Sequence, residues 1–228
     1  MPFSHVMRTK LISGANTGML LVTLTSLACS SPRSEPAATA DCDSTTPSTC
    51  VSQATALLES GNGTDAVGML DAACERFHAP SCRTLGVWKR DGMPEAQLAI
   101  KTVASLLTRA ASQGDVEASY ELGVTYRDGL QTEASPRAAA DKFEFACRRD
   151  HALACYDLGM LLTQGALPLD IDKAGMAFLT GCGLGEGSSC WNVATMAKQG
   201  AFTLPDDLTV DGLMERACAQ GAEGACGG

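Results

Sequence analysis

Ten of the eleven cysteines fall into five pairs of one spacing, each pair eight positions apart: Cys42/Cys50, Cys74/Cys82, Cys147/Cys155, Cys182/Cys190 and Cys218/Cys226. Thiols in such a series can be oxidised to disulfides, can hold a metal as thiolates, or can stay free. In one continuous helix, residues eight apart lie about 12 Å apart, whereas the Cα atoms of a disulfide stand roughly 4.4–6.8 Å apart. Each pair must therefore straddle a turn, and the intervening ERFHAPS, RRDHALA, GLGEGSS and AQGAEGA carry turn residues. Structural zinc normally uses close Cys or His pairs; the chain has no C-x-x-C and only three histidines, His5, His78 and His151. Disulfides are the favoured chemistry, with zinc and free thiols as the alternatives.

Other reactive constellations are weaker. His78 and His151 sit beside Arg and Asp, but both lie four after a first cysteine, a phase held elsewhere by Asp115, Glu186 and Ala222. That recurrence reads as a turn position and not as a site. No H-x-x-x-H, G-x-S-x-G or phosphate-loop pattern occurs. Neither a catalytic residue nor a metal site is assigned, and no cofactor is called for. Trp88 and Trp191 fall in or near helices as core or groove residues.

The elements that must position these pairs are repeated. Second cysteines lie at 50, 82, 155, 190 and 226, and Ser119 fills the gap, giving steps of 32, 37, 36, 35 and 36. The unit at Ser119 is a copy without cysteines, in which Ala111 stands where the first would be. A fixed period of this size marks a repeat architecture. Four after each second-cysteine position is a small residue, Ala54, Gly86, Gly123, Gly159 or Ala194, whose recurrence predicts close helix packing. Gly61, Gly92, Gly129, Gly165 and Gly200 mark the stop of each first helix.

In each second helix, the position eight before the first cysteine is Ala66, Val103, Ala139, Ala174 or Val210. Four before it stands Leu70, Leu107, Phe143, Phe178 or Met214, on the same helical face. The pattern predicts five helix pairs over 49–78, 80–114, 116–150, 152–186 and 187–222.

Segments such as ACYDLGMLLTQG followed by DKAGMAFLTGCGLGEGSSC resemble the Sel-one-like repeat (SLR) family, relatives of the tetratricopeptide repeats, over about residues 49–228. Ala-Cys in place of the usual Ala-Ala ending resembles the cysteine-rich bacterial branch typified by the Helicobacter cysteine-rich proteins. The resemblance implies an all-α, right-handed α/α solenoid with one disulfide per unit joining adjacent helices. It departs at Ala111/Ser119, which has no bridge, and at Cys42, where a bridge would clip an N-terminal arm.

Residues 1–28 read as an export signal, with Arg8 and Lys10 before the apolar run GMLLVTLTSLA. Ser26-Leu27-Ala28-Cys29 resembles a bacterial lipobox, although Ser26 and Leu27 depart from its usual residues. A lipid on Cys29 leaves ten cysteines for five bridges. Residues 29–48 read as a Ser/Pro/Ala-rich tether and 49–228 as the repeat domain. The expected place is a bacterial cell envelope, as an outer-membrane lipoprotein facing the periplasm or the surface.

The formal charge is −9, and losing Arg8 and Lys10 with a leader makes it two units more negative. That argues against nucleic acid as a partner. The expected function is a lipid-anchored scaffold that binds a protein or peptide in a solenoid groove, held to the membrane by its anchor. Tyr120, Arg127 and Asn192 on first helices are the contact candidates, ahead of the histidines. The alternative is β-lactamase or penicillin-binding activity, a label the resemblance carries from cysteine-rich relatives. None of Lys10, Lys89, Lys101, Lys142, Lys173 and Lys198 follows a serine by three, so Ser-x-x-Lys is absent.

Overall fold

The computed structural model describes residues 47–222 and 224–227, which form ten α-helices and two short 3-10 turns. The helices are α1 (Pro47–Glu59), α2 (Gly63–Glu75), α3 (Ala79–Arg90), α4 (Val103–Ala111), α5 (Val116–Asp128), α6 (Pro136–Cys147), α7 (Ala152–Thr163), α8 (Ile171–Gly183), α9 (Gly187–Lys198) and α10 (Val210–Ala219). They make five successive pairs, the all-α solenoid the period predicts. The helix α1 begins at Pro47, inside the stretch drawn as tether from sequence. Cys29, Cys42 and the leader lie outside the described residues.

Caps start the helices in phase. His78, Asp115, His151 and Glu186 are the N-caps of α3, α5, α7 and α9, each accepting a backbone N–H of the first turn with its side chain. The histidine phase is thus a capping position, where a ring nitrogen does the work of a carboxylate; such a cap contributes about 1 kcal/mol. Thr102, Ser135, Asp170 and Thr209 do the same for the second helices α4, α6, α8 and α10. First helices stop where predicted. At Gly129 the backbone turns left-handed, with φ +67°, and the glycine at the same phase does so in the other repeats.

In α3–α4, α5–α6 and α7–α8, the small residue of the first helix receives the large apolar residue of the second, whereas Met214 of α10 is only partly buried and Leu213 beside it is buried. A Cβ added to Gly123 would stand 2.5 Å from the Phe143 ring, and one on Gly159 2.6 Å from Phe178. On Gly86 it would stand 3.0 Å from Leu107. Leu70, Leu107, Phe143 and Phe178 are all fully buried, as is Ala54 opposite Leu70. Val210 is only half-buried, because it is the first residue of α10 and sits at a helix end.

Disulfides join four of the five second helices to the next segment of the chain: Cys74–Cys82, Cys147–Cys155, Cys182–Cys190 and Cys218–Cys226, with Cα atoms 4.6–4.9 Å apart. The first three link α2 to α3, α6 to α7 and α8 to α9. Cys50 is also disulfide-bonded; its expected partner, Cys42, is outside the described residues. A loop of about nine residues closed this way contributes ~2.6 kcal/mol in the chain-entropy account. The joint from α4 to α5 has Ala111 and Ser119 at these positions, and the Ser119 hydroxyl donates to the Asp115 carbonyl, 3.0 Å.

Two features escaped the sequence pattern. The longer connection between α3 and α4 is organised by buried Lys89, whose ammonium donates to the carbonyls of Ala96, Gln97 and Ala99. Phe202, from the α9–α10 connection, packs on Gly175 of α8. Among the described residues no helix is long and apolar enough to cross a membrane, and no group of His, Cys, Asp or Glu could hold a metal.

Candidate partner-binding face

The first helices α1, α3, α5, α7 and α9 carry the residues singled out from sequence. Just after the second-cysteine position stand Val51, Arg83, Tyr120, Tyr156 and Trp191, one per repeat. Each is half-buried. The two tyrosines lie over the buried phenylalanines: Tyr120 is 5.8 Å from Phe143 and Tyr156 6.1 Å from Phe178, centroid to centroid. The face therefore sits directly on the core knobs and is as fixed as they are.

Two of these residues also reach the N-cap of the next first helix. Arg83 pairs with Asp115 at 3.1 Å, and Tyr120 stacks on His151 at 4.3 Å. His151 Nε2 lies 3.2 Å from Glu117. The structure thus brings one histidine to the candidate Tyr120, although the sequence set the two apart.

A second row crosses the repeats nearer the helix C-termini. Arg90 pairs with Glu121, and Arg127 with Asp157 at 3.0 Å. These arginines occupy one phase and their acids another, so the same tie recurs one repeat along. Each arginine also holds the aspartate that follows it: Arg90–Asp91 at 2.9 Å and Arg127–Asp128 at 2.7 Å.

Asp157 is the hub. It takes hydrogen bonds from the Tyr120 hydroxyl and from Arg127. Burial pushes its carboxyl above the usual aspartate range, with Arg127 and Tyr120 opposing that rise. Burial and the facing Asp157 carboxylate push the Tyr120 hydroxyl up to about 12, so it keeps the proton it donates. Asp128 goes the other way: its hydrogen bond from Arg127 lowers it.

Tyr120 and Arg127 are therefore occupied within the molecule. Asn192, the third candidate, stands one repeat on, hydrogen-bonded to the Tyr156 hydroxyl and 3.7 Å from the Met160 sulfur. Around it, Tyr156, Met160, Trp191 and Thr195 are all half-exposed and uncharged. Sequence reasoning missed Tyr156 and Met160 as members of this group. The available signal was the recurrence of an aromatic residue at 120, 156 and 191, one per repeat.

No family model matches the chain. Among solved structures, it is similar to the Sel1 repeat protein from Oxalobacter formigenes, at TM-score 0.63 and 18% identity over 77% of this chain and 74% of that one. It is similar also to c5321, a protective antigen of uropathogenic Escherichia coli strains displaying an SLR fold, at TM-score 0.65 and 18% identity over 78% of this chain and 39% of that one. The fold is the Sel1-like repeat solenoid.

Among curated relatives, this chain is 25% identical over 164 residues to cytochrome c oxidase assembly factor 7 of Xenopus tropicalis, covering 68% of this chain and 71% of the relative. It is 32% identical over 108 residues to the Danio rerio protein of that name, covering 45% and 47%. These relatives are vertebrate proteins, and that overturns the expected placement in a bacterial cell envelope, facing periplasm or surface. The physical reason is that paired cysteines require an oxidising compartment and do not say which one. The solved neighbours are bacterial, but at 18% identity they speak to fold alone.

Proposed function

We propose that this SLR chain is a non-catalytic scaffold that binds a polypeptide segment of a protein partner along its first-helix face, chiefly over α7 and α9. One observation carries the reading: the polar groups of the α3–α5 stretch are consumed by ion pairs across repeats, whereas Tyr156, Met160, Trp191, Asn192 and Thr195 form a half-exposed, uncharged patch. Aromatic and thioether groups offer apolar contact area. The Asn192 amide, bonded to Tyr156 and to the Met160 sulfur in the free protein, exchanges these contacts for ones to a peptide backbone. Rigid backing by Phe178, Val193 and Ala194, all buried, keeps the ordering cost of binding low.

The overall negative charge weighs against a nucleic-acid partner, because a phosphate backbone needs cations to neutralise it. Relatives named as assembly factors suggest the setting: the chain holds a partner while a larger complex is put together. The disulfides fit work in an oxidising compartment, where they persist without a large single core.

The test is affinity capture with the oxidised protein, using Asn192→Ala and Thr195→Arg. Each is expected to weaken binding of the captured partner by about tenfold or more while leaving the melting temperature within a few degrees. Met176→Ala, on the exposed side of α8, is expected to change nothing. Equal capture by all three variants would refute the assignment of the face.

A further inference from the structure

We propose that the joint between α4 and α5 is a built-in hinge, at which the repeats before and after it rock about contacts on the first-helix side and part on the second-helix side.

Two observations bear on this joint. The disulfide that links second helix to next first helix at α2–α3, α6–α7 and α8–α9 is missing here, where Ala111 and Ser119 occupy its positions. Ties between neighbouring second helices also skip it, as they skip the step from α8 to α10 among the described residues. Lys101 pairs with Asp71 at 2.7 Å, and Arg109 with Glu75 at 3.5 Å, joining the α4 repeat to α2. Lys173 pairs with Glu144 at 2.7 Å, joining α8 to α6. Among the described residues no ion pair joins α4 to α6; the position equivalent to Asp71 and Glu144 is Thr108.

The buried core divides one helix further on, between α5 and α6, so that small apolar clusters still reach across the α4–α5 joint. One cluster runs from Ala54 to Ala118 and another from Ala139 to Ala222. Between them stands a small cluster of three fully buried residues, Val103, Leu107 and Leu122. The helix α4 is the shortest of the ten, at nine residues.

The first-helix side is held, in contrast. Arg83–Asp115 and Arg90–Glu121 both cross from α3 to α5, and Gln131 reaches back to the Lys89 carbonyl at 3.3 Å. A joint pinned on one side and untied on the other opens in one direction. Opening changes the curvature of the first-helix face on either side of Tyr120. That consequence for binding rests on the scaffold reading above, whereas the hinge itself does not.

Hydrogen exchange on the full oxidised protein tests it, since local opening is read amide by amide. Amides of residues 110–119 are expected to exchange about tenfold or more faster than their counterparts at 146–155 and 181–190. The doubly substituted A111C/S119C protein is expected to form a further bridge of the same spacing and to remove the difference. Wild-type protection at 110–119 equal to that at 146–155 would overturn the hinge, as would unchanged exchange in the bridged variant. Neither result bears on whether the face binds a partner.

Discussion

The α3–α4 and α7–α8 repeats solve one packing problem with pieces of different size. In the first, Gly86 receives Leu107; in the second, Gly159 receives Phe178. The first needs a long connection, stitched by Lys89 to three carbonyls. The second carries the buried Leu162 at the same phase as Lys89 and has a short connection. Their outward faces differ more. One presents Arg83 and Arg90, tied to the next repeat by ion pairs; the other presents Tyr156 and Met160, uncharged and tied to the next repeat through Asn192. The lesson is that the small-on-large pair and the caps fix the backbone, and the remaining positions of each first helix are left to specialise.

Glycine-to-alanine changes break this comparison most severely. Gly159→Ala drives a methyl into the Phe178 ring, three of whose atoms would lie within 2.8 Å, and the buried ring has no flexible end to yield. The overpacking, at the upper end of about 1–3 kcal/mol, exceeds the gain of about 1 kcal/mol in helix propensity, for a net loss of about 2 kcal/mol. Gly86→Ala meets only the branched end of Leu107, and we expect a net change within about 1 kcal/mol. Denaturant unfolding of the two variants measures the contrast; equal losses would mean that the two repeats are packed alike.

A smaller effect separates the two aspartates around Arg127. Asp157 has its carboxyl raised by burial, so the folded state favours its protonated form. Its contribution to stability is present below the ordinary aspartate range and is lost as pH rises through the raised value. Asp128 is lowered by its hydrogen bond from Arg127, so its contribution is present at neutral pH and is lost as pH falls through the lowered value. Carboxyl NMR titration is expected to show Asp157 protonating before Asp128 on acidification. The reverse order would remove Asp157 from its place as hub.

Much of this is legible in the chain because it is local. The period, the helix stops and the small-on-large pairs lie within one repeat, and the bridges, although they join one repeat to the next, span only eight positions at a spacing that recurs five times. The histidines are recognisable from sequence as a recurring structural position, although their capping role requires the backbone to be seen. The other ties that join one repeat to another are illegible. Arg127 meets Asp157, and Tyr120 meets His151, about a repeat apart and at unlike phases, so no single aligned column contains both partners. Lys89 is hidden for another reason: its carbonyl partners belong to an irregular connection that exists in that form only once among the described residues.

The claim at the centre is that a polypeptide partner lies on the first-helix face over α7 and α9. Site-specific photo-crosslinking measures this directly, with the reactive side chain placed at Thr195 or Met160 on that face and at Met176 or Thr180 on the far side of α8. The account predicts one and the same partner protein crosslinked from Thr195 and Met160 and not from Met176 or Thr180. Crosslinks obtained from the α8 positions alone, or equally from all four, would contradict it.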